Sequence, residues 1–187
     1  MSYDYQIAEF GPPIYRDLPR TEDLVLDRPY VVAVRNVCYV APATGWFFDG
    51  ASIPRLLWRV VGPPLRGTYR RGALIHDPAY KGLLLAFRID RQLDMIPIRD
   101  DLHEHPKEVP ATLLGRPQLP IERAEADDLL EAISEWNGTS RIKAATMRRA
   151  VRLFGGGIWR NEHAKWAHLQ NAVQPPEEPG TTKESLK

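Results

Sequence analysis

The sequence predicts an α+β fold in which a small N-terminal antiparallel β layer packs on about three C-terminal helices. Two observations lead to this prediction. Short runs rich in β-branched and aromatic residues are concentrated before residue 50, and apolar residues at helical spacing dominate after residue 69. The 187 residues and the 43% hydrophobic content are enough for one domain with a real core.

The β layer is predicted from four short segments that precede the first long helix. Asn36 marks a turn between the last two of them, and Asp49-Gly50 marks a turn after the layer. Ser52 is expected to cap a short helix that ends at Gly62. The predicted strands are Tyr5–Phe10, Leu24–Leu26, Tyr30–Val34 and Val37–Val40.

The helical half is predicted to contain helices over residues 69–85, 121–136 and 141–154. Asn137-Gly138 ends the second helix, and Gly155-Gly156-Gly157 is expected to terminate the third. On the third helix, Arg148, Arg149 and Arg152 are assigned mostly to the outward side.

The domain organisation follows from the segments between and after these helices. The proline-rich residues 86–120 are interpreted as an insertion. The predicted organisation is therefore a single domain over 1–169 and a disordered tail over 170–187.

Composition excludes several classes of function. A net charge of +1 gives no specific nucleic-acid signal. Cys38 is the only cysteine, which excludes an intramolecular disulfide framework and a multi-cysteine zinc site. The first residues have no secretory pattern, and no apolar run is long enough to span a bilayer. We therefore expect synthesis and folding in a reducing cytoplasm.

Three polar side chains interrupt the apolar face of the helix predicted over 69–85. His76 and Tyr80 are four residues apart and lie on one helical face, with Asp77 about 100° away. A neutral histidine acts as a general base near pH 7, and a neighbouring carboxylate can hold a cation. The alternative is a buried histidine bonded to backbone, a capping aspartate and a packed tyrosine.

Asp127 is the expected partner of this cluster. It lies at the edge of the apolar face of the helix over 121–136, whereas Asp128 points further toward solvent. If the two helices pack antiparallel, Asp127 can accept a hydrogen bond from His76 and orient its ring. The alternative is a carboxylate near the helix N-terminus that only favours the helix dipole.

Two further segments carry weaker signals for an ion. The turn at Asp49–Ser52 offers a carboxylate and carbonyl groups, so Asp49 and Asp77 are the candidate ligands of a divalent cation, with calcium preferred. His103-Glu104-His105 has alternating histidines, but a solvated loop is the simpler interpretation. The arginines at positions 55, 59, 66, 70 and 71 could bind phosphate or lipid head groups, but a solvated, ion-paired surface is the simpler interpretation.

Four motifs in order resemble one family of bacteriophage and prophage proteins of unknown function. They are Gly50-Ala51-Ser52-Ile53-Pro54, His76-Asp77-x-x-Tyr80, Arg123-x-x-x-Asp127 and the segment Ala150–Gly155, and the resemblance covers roughly residues 30–160. It implies a viral origin, synthesis in the host cytoplasm, and either incorporation into the virion or a role outside it. The long 86–120 segment departs from the short link expected in that family.

The HDxxY helix with a distant aspartate also resembles the calcium-dependent secreted and parvoviral phospholipases. That resemblance implies that His76 activates water, Asp77 binds calcium and Asp127 orients His76. It also implies a membrane lipid as substrate. The chain lacks the tyrosine- and glycine-containing calcium loop of those enzymes, and it lacks their disulfides, which the parvoviral type also does without.

Three hypotheses of function remain open from the sequence. The first is a metal-assisted hydrolase of an ester or phosphoester, with His76, Asp127 and Tyr80 as the catalytic group. The second is a virion or tail protein, or an assembly protein, in which the same residues form an architectural network and the partners are phage structural proteins. The third is a host-interaction factor that uses the 86–120 segment to bind a host protein.

Overall fold

The computed structural model describes residues 6–17, 24–43, 48, 67–90 and 94–173. A four-stranded antiparallel sheet has the order β1-β4-β5-β6, and β2 pairs with β3 in a separate ribbon. The described part therefore has an antiparallel N-terminal sheet followed by helices, and the predicted α+β class is confirmed. The strands are β1 (Ile7–Glu9), β2 (Tyr15–Asp17), β3 (Leu24–Leu26), β4 (Tyr30–Val34), β5 (Val37–Ala41) and β6 (Leu85–Arg88).

The hairpin of β4 and β5 forms the centre of the sheet. Its register pairs Tyr30 with Ala41 and Val34 with Val37, so only Arg35 and Asn36 form the turn. Arg35 adopts a φ of 57°, which a tight two-residue turn requires at its first position. Every residue of β4 is buried, as expected for a central strand that is covered on both faces.

Four α-helices follow the first strands in the described part of the chain. They are α1 (Arg70–Tyr80), α2 (Met95–Glu104), α3 (Arg123–Trp136) and α4 (Arg141–Val173). Helix α1 packs against α3, against α4 and against β5. Its residues from Gly72 to Tyr80 are all buried. A helix that is buried on all sides lies in the centre of the fold, so α1 holds its polar side chains away from solvent.

Helix α1 is shorter than the predicted range 69–85. It ends at Tyr80, because Gly82 has a φ of 67° and the backbone N–H groups of Lys81 and Gly82 bond to Asp77 and Ala79. A glycine in the left-handed region just after a helix is a common stop signal. The chain then enters β6, whose residues pair with β5.

The 86–120 segment is more ordered than the predicted insertion. It contains most of β6, the whole of α2 and a 3-10 turn at Ala111–Leu113. Its side chains Ile98, Leu102 and Leu113 are buried in the core. The segment is therefore part of the packed fold and is more than an exposed binding loop.

The prediction that three glycines end the last helix is wrong. Helix α4 continues through Gly155, Gly156 and Gly157 and reaches Val173, past the predicted start of the tail at residue 170. Glycine costs about 1 kcal/mol relative to alanine in a helix. Packing of Trp166 and other side chains of this half against the core outweighs that cost. Residues 174–187 and the helix predicted near Ser52 lie outside the described residues.

Gly72 is a point of close approach between α1 and α3. A Cβ at this position would lie 2.5 Å from Ser134 Oγ and 2.8 Å from the carbonyl oxygen of Leu130. We expect Gly72→Ala to destabilise the protein by about 1–3 kcal/mol, because the Leu130 backbone must move. Gly157→Ala is the matched control, since nothing lies within 4 Å of its Cβ, and it should stabilise by up to about 1 kcal/mol. Urea denaturation measures both, and equal effects would contradict the close approach.

Candidate functional site

The candidate site is built on the Asp127 carboxylate, which is completely buried between three helices. Its Oδ1 atom lies 3.2 Å from His76 Nε2 and accepts a hydrogen bond from the Tyr80 hydroxyl at 2.8 Å. Its Oδ2 atom accepts a bond from Arg152 Nε at 2.8 Å. The predicted contact between the helices that carry His76 and Asp127 therefore exists.

His76 is held in a defined tautomer by this contact. An ionised Asp127 can only accept a hydrogen bond from Nε2. A neutral His76 therefore carries its hydrogen on Nε2 and a lone pair on Nδ1. The Nδ1 atom lies 3.8 Å from Asp77 Oδ1 and makes no hydrogen bond among the described residues. A basic ring nitrogen therefore lies next to a second buried carboxylate.

Tyr80 is positioned by close packing as well as by its hydrogen bond. Its ring lies 4.2 Å from the His76 ring and meets Trp159 edge-on at 5.0 Å. A Cβ at position 155 would lie 2.3 Å from the Tyr80 hydroxyl oxygen. Only glycine at 155 therefore lets α4 pass this close while the hydroxyl reaches Asp127.

Two arginines that were not predicted as site residues contact Asp127. Arg152, predicted to point outward, binds Asp127 through Nε and donates from Nη2 to the Ala124 carbonyl at 2.7 Å. Arg123 lies one turn before Asp127, with Nη1 3.9 Å from Oδ2. The Arg123-x-x-x-Asp127 spacing, at i and i+4 on one helix, was a usable signal for the second contact.

The pKa directions agree with a charged pair. Burial acts to lower the pKa of His76, but the Asp127 and Asp77 carboxylates outweigh it, so the pKa of His76 lies above its usual 6.5. Burial acts to raise the pKa of Asp127, and the bonds from His76, Tyr80 and Arg152 outweigh it. The pKa of Asp127 therefore lies below its usual value of 3.8. Each group favours the charged form of the other.

Within the part of the chain that the structure describes, the other predicted site residues do not lie at this cluster. Asp49 and the turn around it lie outside that part. His103 and Glu104 end α2 and His105 follows; all three are exposed. Within the described ranges no group of three histidine, cysteine or acidic side chains is arranged to hold a metal ion. Of the two predicted ligands, Asp77 lies within the described residues, and its carboxylate oxygens are of the kind that calcium prefers.

None of the helices in the described part of the chain is long and apolar enough to cross a membrane.

The fold and this cluster define an α+β protein with a buried His–Asp–Tyr site on an HDxxY helix. The family described as protein of unknown function (DUF1353) matches residues 24–151. This range is more than half of the chain and includes His76, Asp77, Tyr80 and Asp127, so the chain belongs to that family.

A short segment of the chain is similar to a curated protein. The uncharacterized protein y4jT of Sinorhizobium fredii (strain NBRC 101917 / NGR234) is 47% identical over 34 residues. Those residues are 18% of this chain and 10% of that protein, so the chain matches only a short part of its length. No solved structure matches the chain.

Removing the Asp127 charge tests whether the cluster is held together as described. We expect Asp127→Asn to cost about 3–5 kcal/mol of stability, since it leaves Arg152 and a protonated His76 without their buried counter-charge. The neighbouring Asp128→Asn is the control. Asp128 pairs with Arg148 at 2.5 Å on the exposed side, so its loss should cost at most about 1 kcal/mol. Urea denaturation at pH 6 measures both, and similar losses would contradict the central role of Asp127.

The pH dependence of stability follows from the two pKa directions. The His76 contribution is fully present below pH 6.5 and is lost as pH rises through its raised folded-state pKa. The Asp127 contribution is present above pH 3.8 and is lost as pH falls through its lowered folded-state pKa. The stability difference between wild type and Asp127→Asn should therefore be largest between these two values. A series of denaturation curves from pH 3 to 10 measures it, and a difference that grows steadily above pH 8 would contradict the assignment.

Proposed function

We propose that this protein is a hydrolase of an ester or phosphoester bond that uses His76 as general base. One observation carries the proposal: Nε2 of His76 is bound to Asp127, and its Nδ1 atom faces Asp77 without a hydrogen bond to a described residue. This arrangement leaves a lone pair available to take a proton from water. Buried histidines that serve only the architecture usually have both ring nitrogens satisfied.

The roles of the other residues follow from their contacts. Asp127 orients the ring and stabilises the imidazolium that forms when Nδ1 takes a proton. Tyr80 supports Asp127 through its 2.8 Å hydrogen bond, and Arg152 occupies the second oxygen so that the carboxylate cannot rotate away. Asp77 is the proposed ligand for a divalent cation, calcium by preference, with Asp49 as its second ligand. A bound cation would supply positive charge for the developing oxyanion.

The substrate class and the origin rest on the resemblances of the sequence. The HDxxY helix that faces a distant aspartate favours a membrane lipid ester, as in the calcium-dependent phospholipases that it resembles. The order of the four motifs supports a phage or prophage origin and synthesis in the host cytoplasm.

The hydrolase is tested by activity and by cation binding. Wild-type protein, supplied with calcium, zinc or manganese, should hydrolyse a member of a lipid and phosphodiester panel. His76→Asn should lower the rate at least about 100-fold. The rate should rise with pH through the raised pKa of His76, because only the neutral ring accepts a proton. Calorimetry should show that Asp77→Asn loses cation binding.

Two controls make this test decisive. Asp128→Asn, one residue from the site, should keep both the rate and the cation affinity. The melting temperature of each variant shows whether a lost rate is a lost fold. Wild-type protein that binds no cation and hydrolyses no member of the panel would overturn the proposal.

A second candidate is a non-catalytic protein of phage structure or assembly. The observation that favours it is the complete burial of His76, Asp77 and Asp127, since a substrate reaches them only if the fold opens. In that case the cluster joins the helices, and His76→Ala should lower the melting temperature strongly while wild type shows no hydrolysis. A stable His76→Ala variant would contradict this second candidate.

A further inference from the structure

A separate cleft of about 800 Å³ lies between the β4–β5 hairpin and helices α3 and α4. Among the described residues that line it are Arg35 and Tyr39 of the hairpin, but none of His76, Tyr80 or Asp127. Its volume falls in the range of small-molecule sites, roughly 300–1,000 Å³. We propose that this cleft binds an amphiphilic phosphate monoester, with the phosphate on α4 and the apolar body against α3. The proposal is independent of the hydrolase.

Charge favours an anion in this cleft. Its lining carries Arg35, Arg141, Arg148 and Arg149 against Glu125, Asp128 and Glu131. The last two carboxylates pair with Arg148, at 2.5 and 3.3 Å, and Glu125 accepts a hydrogen bond from Tyr39 at 2.7 Å. The acidic side chains are therefore already bonded within the protein, and the excess charge on the lining is positive.

Two arginines on α4 are placed to share one anion. Arg141, Ala145 and Arg149 follow at i, i+4 and i+8, so they form one row along the helix, about 12 Å from end to end. Neither guanidinium forms an ion pair or a hydrogen bond with a described residue, and both residues are exposed. A guanidinium group binds two phosphate oxygens through two parallel hydrogen bonds. An anion above Ala145 would lie between the guanidinium groups of Arg141 and Arg149.

The rest of the lining is partly apolar, because four apolar side chains lie among its three carboxylates. They are Leu129 and Ala132 of α3 and Val34 and Val37 of the hairpin. Ala132 and Ala145 are small, and together they leave the space that larger side chains would occupy. The partly exposed Val37 and the exposed edges of the three buried side chains offer contacts for an apolar chain, which a free inorganic anion does not use.

The experiment uses full-length protein and three probes: n-octyl phosphate, inorganic phosphate and n-octyltrimethylammonium. Calorimetry below the critical micelle concentration should show saturable binding of octyl phosphate, at least tenfold weaker binding of inorganic phosphate, and none of the cation. Arg141→Gln and Arg149→Gln should each weaken octyl phosphate about tenfold. Ala145→Leu should abolish binding while both arginines remain, and leucine keeps the helix.

Arg160→Gln is the matched control, because Arg160 is exposed on the same helix and does not line the cleft. It should leave the affinity unchanged, and circular dichroism checks the fold of every variant. Absence of saturable binding by wild type would overturn the proposal. An equal loss in Arg149→Gln and Arg160→Gln, or full binding by a folded Ala145→Leu, would overturn it as well. Equal affinity for inorganic phosphate and octyl phosphate would overturn the proposal that the ligand is amphiphilic and would show that the cleft binds a free anion.

Discussion

The buried carboxylate of Asp127 is the interaction on which the helical half of this fold depends. It lies on α3 and receives bonds from His76 and Tyr80 on α1 and from Arg152 on α4. A buried ion costs several kcal/mol of desolvation, which is offset only if its oxygens are well bonded. Both oxygens of Asp127 are bonded, so the three helices have one mutual arrangement in which this charge is tolerated.

The shape of α4 follows from the same requirement. Tyr80 reaches Asp127 only because position 155 has no side chain, and α4 must therefore pass Tyr80 at Gly155. Beyond this point Trp159 packs edge-on against Tyr80, and His163 Nδ1 donates to the Tyr80 carbonyl at 2.8 Å. The intrinsic tendency of glycine to end a helix is outweighed here by contacts on both sides of it.

Much of the fold was predictable because its signals are local. The β4–β5 hairpin follows from β-branched residues around a short turn, and α3 ends at Trp136, directly before the predicted stop at Asn137-Gly138. The ends of α1 and α4 were missed for opposite reasons. Lys81-Gly82 ends α1, but the apolar residues that follow it continue the helical pattern of the sequence. The glycines at 155–157 are a stop signal in the sequence, but tertiary packing outweighs it.

The candidate site was predictable to the extent that it depends on helical spacing. His76, Tyr80 and Asp127 meet because each lies on the face of its helix that an amphipathic pattern directs inward. Arg152 was missed because a long charged side chain is normally assigned to solvent. Its stem can lie along the protein surface while its guanidinium reaches a buried partner.

Arg152 also joins the two parts of the molecule that carry a proposed activity. Its Nε atom binds Asp127, and its Nη2 atom donates to Asp128 Oδ1 at 3.0 Å. Asp128 in turn pairs with Arg148, and both line the cleft beneath the hairpin. Arg152 therefore lies between Asp127 in the buried cluster and Asp128 in the lining of the cleft. One guanidinium is thus shared by two neighbouring carboxylates, of which Asp127 is buried and Asp128 is exposed.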